Sequence, residues 1–146
     1  MTRYADTSFL VPLYLMELHS ATAVSILTHA DTPIFVTPFG EVELTNALQL
    51  RVFRKAISQH DAHLADLAFG QDLNRGVFSL QPISPAVFEL AKRLSRKHTS
   101  SIGTRSLDLL HVASAVQLGA GSFLSFDNNQ RKLAEAAGLS LYPQTL

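Results

Sequence analysis

The chain has 146 residues, with twelve basic and twelve acidic side chains and no cysteine. That length suffices for one domain whose core needs no covalent staples; the absence of thiols removes disulfides and zinc–thiolate sites and gives no sign of an oxidising compartment. Balanced charge withholds the broad basic footprint of a general nucleic-acid binder, and no apolar run resembles a signal peptide or approaches the roughly 18 residues of a membrane helix, so a cytoplasmic protein with no membrane partner is expected.

In chain order, Arg3 to Ala5 reads as a first short strand, followed by a helix from Ser8 to Glu17 in which Pro12 is early enough to be tolerated or to kink it. A second helix covers Ala21 to His29, and a second strand Ile34 to Thr37. Thr37-Pro38 joins a capping residue to proline at the first helical position and opens a helix that reaches Lys55. A helix from Ser58 to Arg75 and a strand from Val77 to Gln81 follow. Ser84-Pro85 then repeats the cap-proline signal for a helix ending at His98. Thr99 to Thr104 is polar and reads as a loop. A helix from Ser106 to Leu118, a strand from Phe123 to Phe126, a helix from Asn128 to Ala137 stopped by Gly138, and a weaker strand from Ser140 to Tyr142 complete the chain. Strands separated by helices imply an α/β fold with a mainly parallel sheet covered on both faces. No repeat, low-complexity tract or linker interrupts it, so one domain is the simplest count.

Four acids stand out on this scheme. Asp6 and Asp127 fall at the carboxyl ends of expected strands, the edge that borders the ligand crevice in open parallel sheets. Glu43 shares a helix face with Phe39, Ala47 and Leu50, and Asp108 with Val112 and Ala115, so both are expected to point inward. Ionised carboxylates inside a domain are costly unless a cation or hydrogen bonds compensate them. Each acid also has a local explanation: Asp6 and Asp127 as helix caps, Asp108 as a first-turn residue favoured by the dipole, Glu43 as a partly exposed helix residue with Glu41 as its rival. His111 reads as a hydrogen-bonded packing residue. The cations of Lys92-Arg93-Leu94-Ser95-Arg96-Lys97-His98 read first as a solvated helix end and second as a phosphate contact. One shared metal accounts for the four acids more economically than four separate local reasons.

The opening Asp-Thr-Ser, the Thr-Pro-Phe-Gly-Glu-Val-Glu-Leu-Thr-Asn-Ala-Leu helix, the Arg105-Ser-Leu-Asp-Leu-Leu-His-Val-Ala-Ser-Ala run and the Phe-Leu-Ser-Phe-Asp-Asn-Asn-Gln segment together resemble a PIN domain, in the right order and over almost the whole chain. Within that family, length and motif spelling are similar to the VapC toxins of bacterial toxin–antitoxin systems. The resemblance implies a single PIN-like domain over residues 1–146, built as a three-layer α/β/α sandwich on a central, mainly parallel sheet. It also implies Mg²⁺- or Mn²⁺-dependent endoribonuclease activity on RNA, a homodimer, and inhibition by a cognate antitoxin. Carried over by position, Asp6, Glu43, Asp108 and Asp127 match the family's acidic, metal-binding site. Ser8 matches its small hydroxyl position, Arg105 a basic position before the third acid, and Asn128 a supporting partner.

These residue types suit such chemistry. Mg²⁺ prefers octahedral oxygen coordination and keeps several waters, so a few carboxylates and a phosphate complete its shell. Asp6 and Asp108 are expected as direct ligands, with Glu43 and Asp127 completing the shell or holding metal-bound water, and Arg105, Arg51, Arg54 and the basic helix end as candidate contacts to the RNA strand. A haloacid-dehalogenase-type phosphatase would need an acid where Ser8 stands, and a receiver domain an early acidic pair and a late lysine. The remaining alternative is a catalytically inactive PIN-like module that binds metal or a basic partner.

Overall fold

Alternation along very short strands divides the core into two halves. The computed structural model describes residues 1–146. Its strands β1 (Arg3–Ala5), β2 (Ile34–Val36), β3 (Phe78–Leu80), β4 (Ser122–Leu124) and β5 (Ser140–Tyr142) form one sheet in the order β3-β2-β1-β4-β5, every pair parallel. Successive strand side chains point to opposite faces. Ala5, Ile34, Val36 and Leu124 therefore enter one buried cluster, while Tyr4 and Phe123 enter the other, with their rings stacked at 5.6 Å.

Helices cover each face. On the first lie α1 (Thr7–Tyr14), α2 (Ser20–Thr28), α3 (Pro38–Phe53) and α4 (Gln59–Asn74), which bury Phe9, Leu10, Ala23, Leu44, Leu48 and Phe69. On the second, α5 (Pro85–Leu94), the short α6 (Ser100–Ile102), α7 (Ser106–Gln117) and α8 (Asn128–Ala136) follow, with Val87, Leu94, Val112, Ala115 and Leu133 in the core. This is the three-layer α/β/α sandwich. No helix is long and apolar enough to cross a membrane.

Caps set the helix starts much as their residues imply. Thr37 Oγ1 accepts from the Gly40 N–H at 3.3 Å ahead of Pro38, and Ser58 and Asp61 exchange bonds in a capping box. Two helical stretches depart most from expectation. The first helix, with Pro12 inside it, stops at Tyr14 instead of Glu17: Leu15 turns extended, its carbonyl accepts from Ser20 Oγ, and that hydroxyl accepts the Glu17 N–H. The expected loop 99–104 is largely helical: Ser95–Thr99 winds as a π-helical turn and α6 continues it to Gly103, whose φ of +77° ends the helix. Its hydroxyls are satisfied within the turn, with Thr99 Oγ1 donating to Ser95 Oγ at 3.0 Å and paired with Thr104 Oγ1 at 2.7 Å.

The strand order positions the site. From β1 the chain moves outward through β2 to β3, then returns to place β4 on the other side of β1. The carboxyl ends of β1 and β4 thus flank the topological switch point, where such sheets bind ligands. β4 ends at Leu124, two residues earlier than the hydrophobic run suggests, which releases Ser125 to Asp127 from the sheet to line that edge.

Candidate active site

Four elements deliver four carboxylates to one cleft of about 50 Å³ that has no apolar residue in its lining. Asp6 arrives directly from β1 and Asp127 from the turn after β4. Glu43 comes from the second turn of α3 and Asp108 from the first turn of α7. Thr7, Ser8, Arg105, His111 and Gln130 line the same space.

Asp6 is buried and fully engaged. Its Oδ1 accepts from Ser8 Oγ at 2.7 Å and from the Phe9 N–H at 3.1 Å, the cap of α1; its Oδ2 accepts from Ser125 Oγ at 2.6 Å and Gln130 Nε2 at 3.1 Å. Asp127 also caps, accepting the Gln130 N–H on Oδ1 at 2.9 Å. Capping and cleft-lining are therefore not alternatives here, since a carboxylate has oxygens enough for both. The turn carrying Asp127 is held from behind. Phe126 stacks on His19 at 4.3 Å, and buried Arg131 donates to the Ser125 carbonyl at 2.9 Å and to the Pro143 carbonyl at 2.7 Å.

Asp108 is tied to Arg105, which donates to it from the backbone N–H at 3.0 Å, from Nε at 3.1 Å and from Nη2 at 3.2 Å. The same Nη2 lies 3.5 Å from Asp127 Oδ2. Arg105 is otherwise three-quarters exposed, so its guanidinium bridges two acids at the mouth of the cleft and faces solvent. Glu43 accepts on Oε1 from Thr7 Oγ1 at 3.0 Å and from His111 Nε2, leaving Oε2 without a protein donor.

Burial dominates the electrostatics of Asp6: it raises the carboxyl's pKa above the ordinary value, against the lowering influence of the hydrogen bonds from Ser125, Ser8 and Gln130. Burial also acts upward on Glu43, but there the hydrogen bonds from His111 and Thr7 and the charge of Arg105 outweigh it and hold the carboxyl below its usual range. Arg105 is held further in its charged form by Asp108, Asp127 and Glu43. Four carboxylates thus face one guanidinium and one imidazole, an imbalance that favours a further cation.

The donor set suits a hard divalent ion. All four acids offer oxygen, Glu43 Oε2 lacks a donor, and Gln130 Oε1 is a buried acceptor with no partner. No three acid or imidazole groups close on one point as a ready cage. A divalent cation held there would therefore keep part of its water shell.

The structure brings Asp6, Ser8, Glu43, Arg105, Asp108 and Asp127 together. Glu41, the rival of Glu43, lies outside the cleft lining. Asn128 is exposed in the first turn of α8 and does not reach the site; Gln130, one turn from Asp127 on the inner face, takes the supporting place. Arg51 pairs with Glu17 at 2.7 Å near the far end of α3, and it and Arg54, at the C-terminal cap of that helix, stand outside the lining. His111 is the packing residue its pattern implies and a member of the cleft as well. Thr7, Ser125 and Gln130 escaped the sequence reading; their signal was proximity to Asp6 and Asp127, too common among polar residues to single them out.

The family model of the PIN domain matches residues 3–136. Among solved structures, the chain resembles VapC20 of Mycobacterium tuberculosis, described as a sarcin–ricin loop cleaving toxin, at 18% identity and a TM-score of 0.73, covering 94% of this chain and 96% of that one. FitAcB from Neisseria gonorrhoeae matches at 12% identity and a TM-score of 0.69, covering 98% of both chains. PAE2754 from Pyrobaculum aerophilum matches at 15% and 0.62, covering 97% of this chain and 83% of that one. At these identities the likeness shows a shared fold. No curated protein sequence matches the chain.

Proposed function

The chain belongs to the PIN-domain family, and on that premise we propose that its 146 residues form a single-domain, Mg²⁺- or Mn²⁺-dependent endoribonuclease, the toxin of a cytoplasmic toxin–antitoxin pair. The observation that carries this reading is the convergence of Asp6, Glu43, Asp108 and Asp127, from four separate elements, on an apolar-free cleft at the switch point between β1 and β4. Structural likeness to a toxin that cleaves the sarcin–ricin loop supports an RNA substrate and the toxin assignment.

In this reading Asp6, Glu43, Asp108 and Asp127 hold the divalent ion, which when bound supplies Lewis-acid polarisation of the phosphate and an acidified water. The chain's own groups do the rest. Ser8 and Ser125 hold both oxygens of Asp6 in place, and Arg105 at the mouth meets the non-bridging phosphate oxygens as a fork-shaped donor. A phosphate that takes part of Arg105's charge loosens its grip on Asp108 and Asp127, so substrate and acids share one cation. The antitoxin suppresses activity by placing a basic segment in or over the cleft. Exposed Met16, Leu18, Phe53, Leu64 and Leu67 on the α1–α4 side supply apolar surface for the homodimer or the antitoxin.

Purified protein should cleave RNA only with Mg²⁺ or Mn²⁺, and Asp6→Asn or Asp108→Asn should reduce that cleavage at least a hundredfold while retaining the fold. Glu43→Gln should be far more damaging than Glu41→Gln. Full activity in both aspartate variants, contaminating nuclease excluded, would reject the site. Metal binding without any RNA cleavage would favour an inactive PIN-like interaction module.

A further inference from the structure

The contact between Glu43 and His111 is the end of a longer chain of buried polar groups. Tyr4, fully buried in the second core cluster and outside the cleft lining, has its hydroxyl 2.8 Å from His111 Nδ1 and 3.3 Å from Thr37 Oγ1, which in turn accepts from the Gly40 N–H. His111 is buried against the Phe39 ring at 4.5 Å, and Gly40 leaves it room: a Cβ there would stand 3.6 Å from His111 Cε1 and 3.3 Å from Thr37 Oγ1.

Donor and acceptor rules give this chain one direction. An ionised Glu43 can only accept, so a neutral imidazole must carry its proton on Nε2, and its bare Nδ1 must then accept from the Tyr4 hydroxyl. Tyr4 oxygen is left to accept from Thr37 Oγ1, and Thr37 Oγ1 from Gly40. Every member is satisfied in that arrangement. The opposite tautomer would turn the lone pair of Nε2 on the carboxylate and leave Tyr4 facing an N–H.

We propose that Tyr4 and His111 are positioning residues for Glu43: the Glu43 carboxylate sets the imidazole tautomer, Tyr4 holds the ring by donating to its bare Nδ1, and His111, with Thr7, holds the carboxylate by Oε1 so that Oε2 remains the available oxygen of the cleft. Among the four cleft acids, Glu43 is the only one with an oxygen that no protein donor occupies. The benefit to metal binding rests on the proposed nuclease reading; the relay itself does not.

The test therefore has a readout that needs neither metal nor RNA. Imidazole ¹⁵N shifts should show His111 as the Nε2–H tautomer with a hydrogen-bonded Nδ1 in wild type, and the Nδ1 resonance should move to that of an unbonded ring nitrogen in Tyr4→Phe. Mn²⁺ titration should then show about tenfold weaker binding in Tyr4→Phe, and RNA cleavage a similar fall in kcat at little-changed KM, the size usual for loss of a group that orients a metal ligand. His111→Gln, which keeps an N–H donor near Glu43, should stand closer to wild type than His111→Leu. If His111→Leu fails to fold, Tyr4→Phe decides the matter, since it removes one oxygen atom. A wild-type His111 protonated in any other way, or a Tyr4→Phe protein with unchanged Mn²⁺ affinity and kcat, would overturn the proposal. A wild type that neither binds Mn²⁺ nor cleaves RNA would overturn the nuclease reading, while the ¹⁵N spectrum would still decide the relay.

Discussion

Asp6 concentrates the tension between stability and function in one side chain. It caps α1, joins β1 to β4 through Ser125, and remains buried beside another three acids. Burial, the largest influence on it, raises its folded pKa above the unfolded value. The native state therefore binds the proton more tightly than the unfolded chain, and this group's contribution to stability declines as pH rises from the ordinary aspartate range through the raised value. Asp6→Asn removes that penalty at neutral pH. Gln130 can turn its amide so that the unpartnered Oε1 meets the new Nδ2–H. Metal-free Asp6→Asn should consequently melt above wild type near neutral pH, with the gain shrinking as pH falls toward the ordinary aspartate range. Thermal melts over a pH series check this, and a lower midpoint for the variant at neutral pH would mean that the four donors outweigh burial.

The segment from α5 through α6 to α7 shows how an element boundary sets a site. A π-helical turn carries the chain past the end of α5, and Gly103 then reverses it so that Arg105 enters α7 as an extended cap above Asp108. Nothing lies within 4 Å of a Cβ added at Gly103, so Gly103→Ala meets no clash. Its cost is the left-handed backbone alone, about 1 kcal/mol. Ser58→Ala, which removes the cap of α4, should cost about the same. Urea denaturation should show similar losses for the two, whereas RNA cleavage should fall only for Gly103→Ala, because only that turn aims Arg105. Equal activity in both variants would show that the Arg105–Asp108 pair holds its geometry without the turn.

At the scale of the molecule, the two core clusters are what keep four separate acids in one place. Metal should repay this by binding the folded state only. Ligation confined to that state adds about 2.7 kcal/mol when free ion is a hundred times Kd, roughly 5–10 °C in melting temperature for a chain of this length. Mn²⁺ should raise the midpoint of wild type by such an amount and leave an Asp6→Asn/Asp108→Asn protein nearly unmoved. A concentration series in Mn²⁺ and Mg²⁺ checks it; equal shifts in the two proteins would place the ion elsewhere and leave the aspartates as caps.

The sequence alone determined what is encoded within a turn or two of chain. Cap-proline pairs at Thr37 and Ser84, the apolar alternation of the strands and the inward faces carrying Glu43 and Asp108 all act over a few residues, so the element order and the strand-end acids were legible. The Asp108 face is buried throughout, although Leu50, on the Glu43 face, is partly exposed. Local patterns also misled: hydroxyls at Thr99 and Thr104 read as loop because each can bond its own backbone, yet they paired with one another across a helical turn. Only the tertiary structure could choose Glu43 over Glu41, send Arg51 to Glu17, replace Asn128 by Gln130, or bring Tyr4 to His111. Those choices join residues far apart in the chain, and they depend on the sheet order β3-β2-β1-β4-β5 and the orientation of helices packed on it, which no local propensity carries.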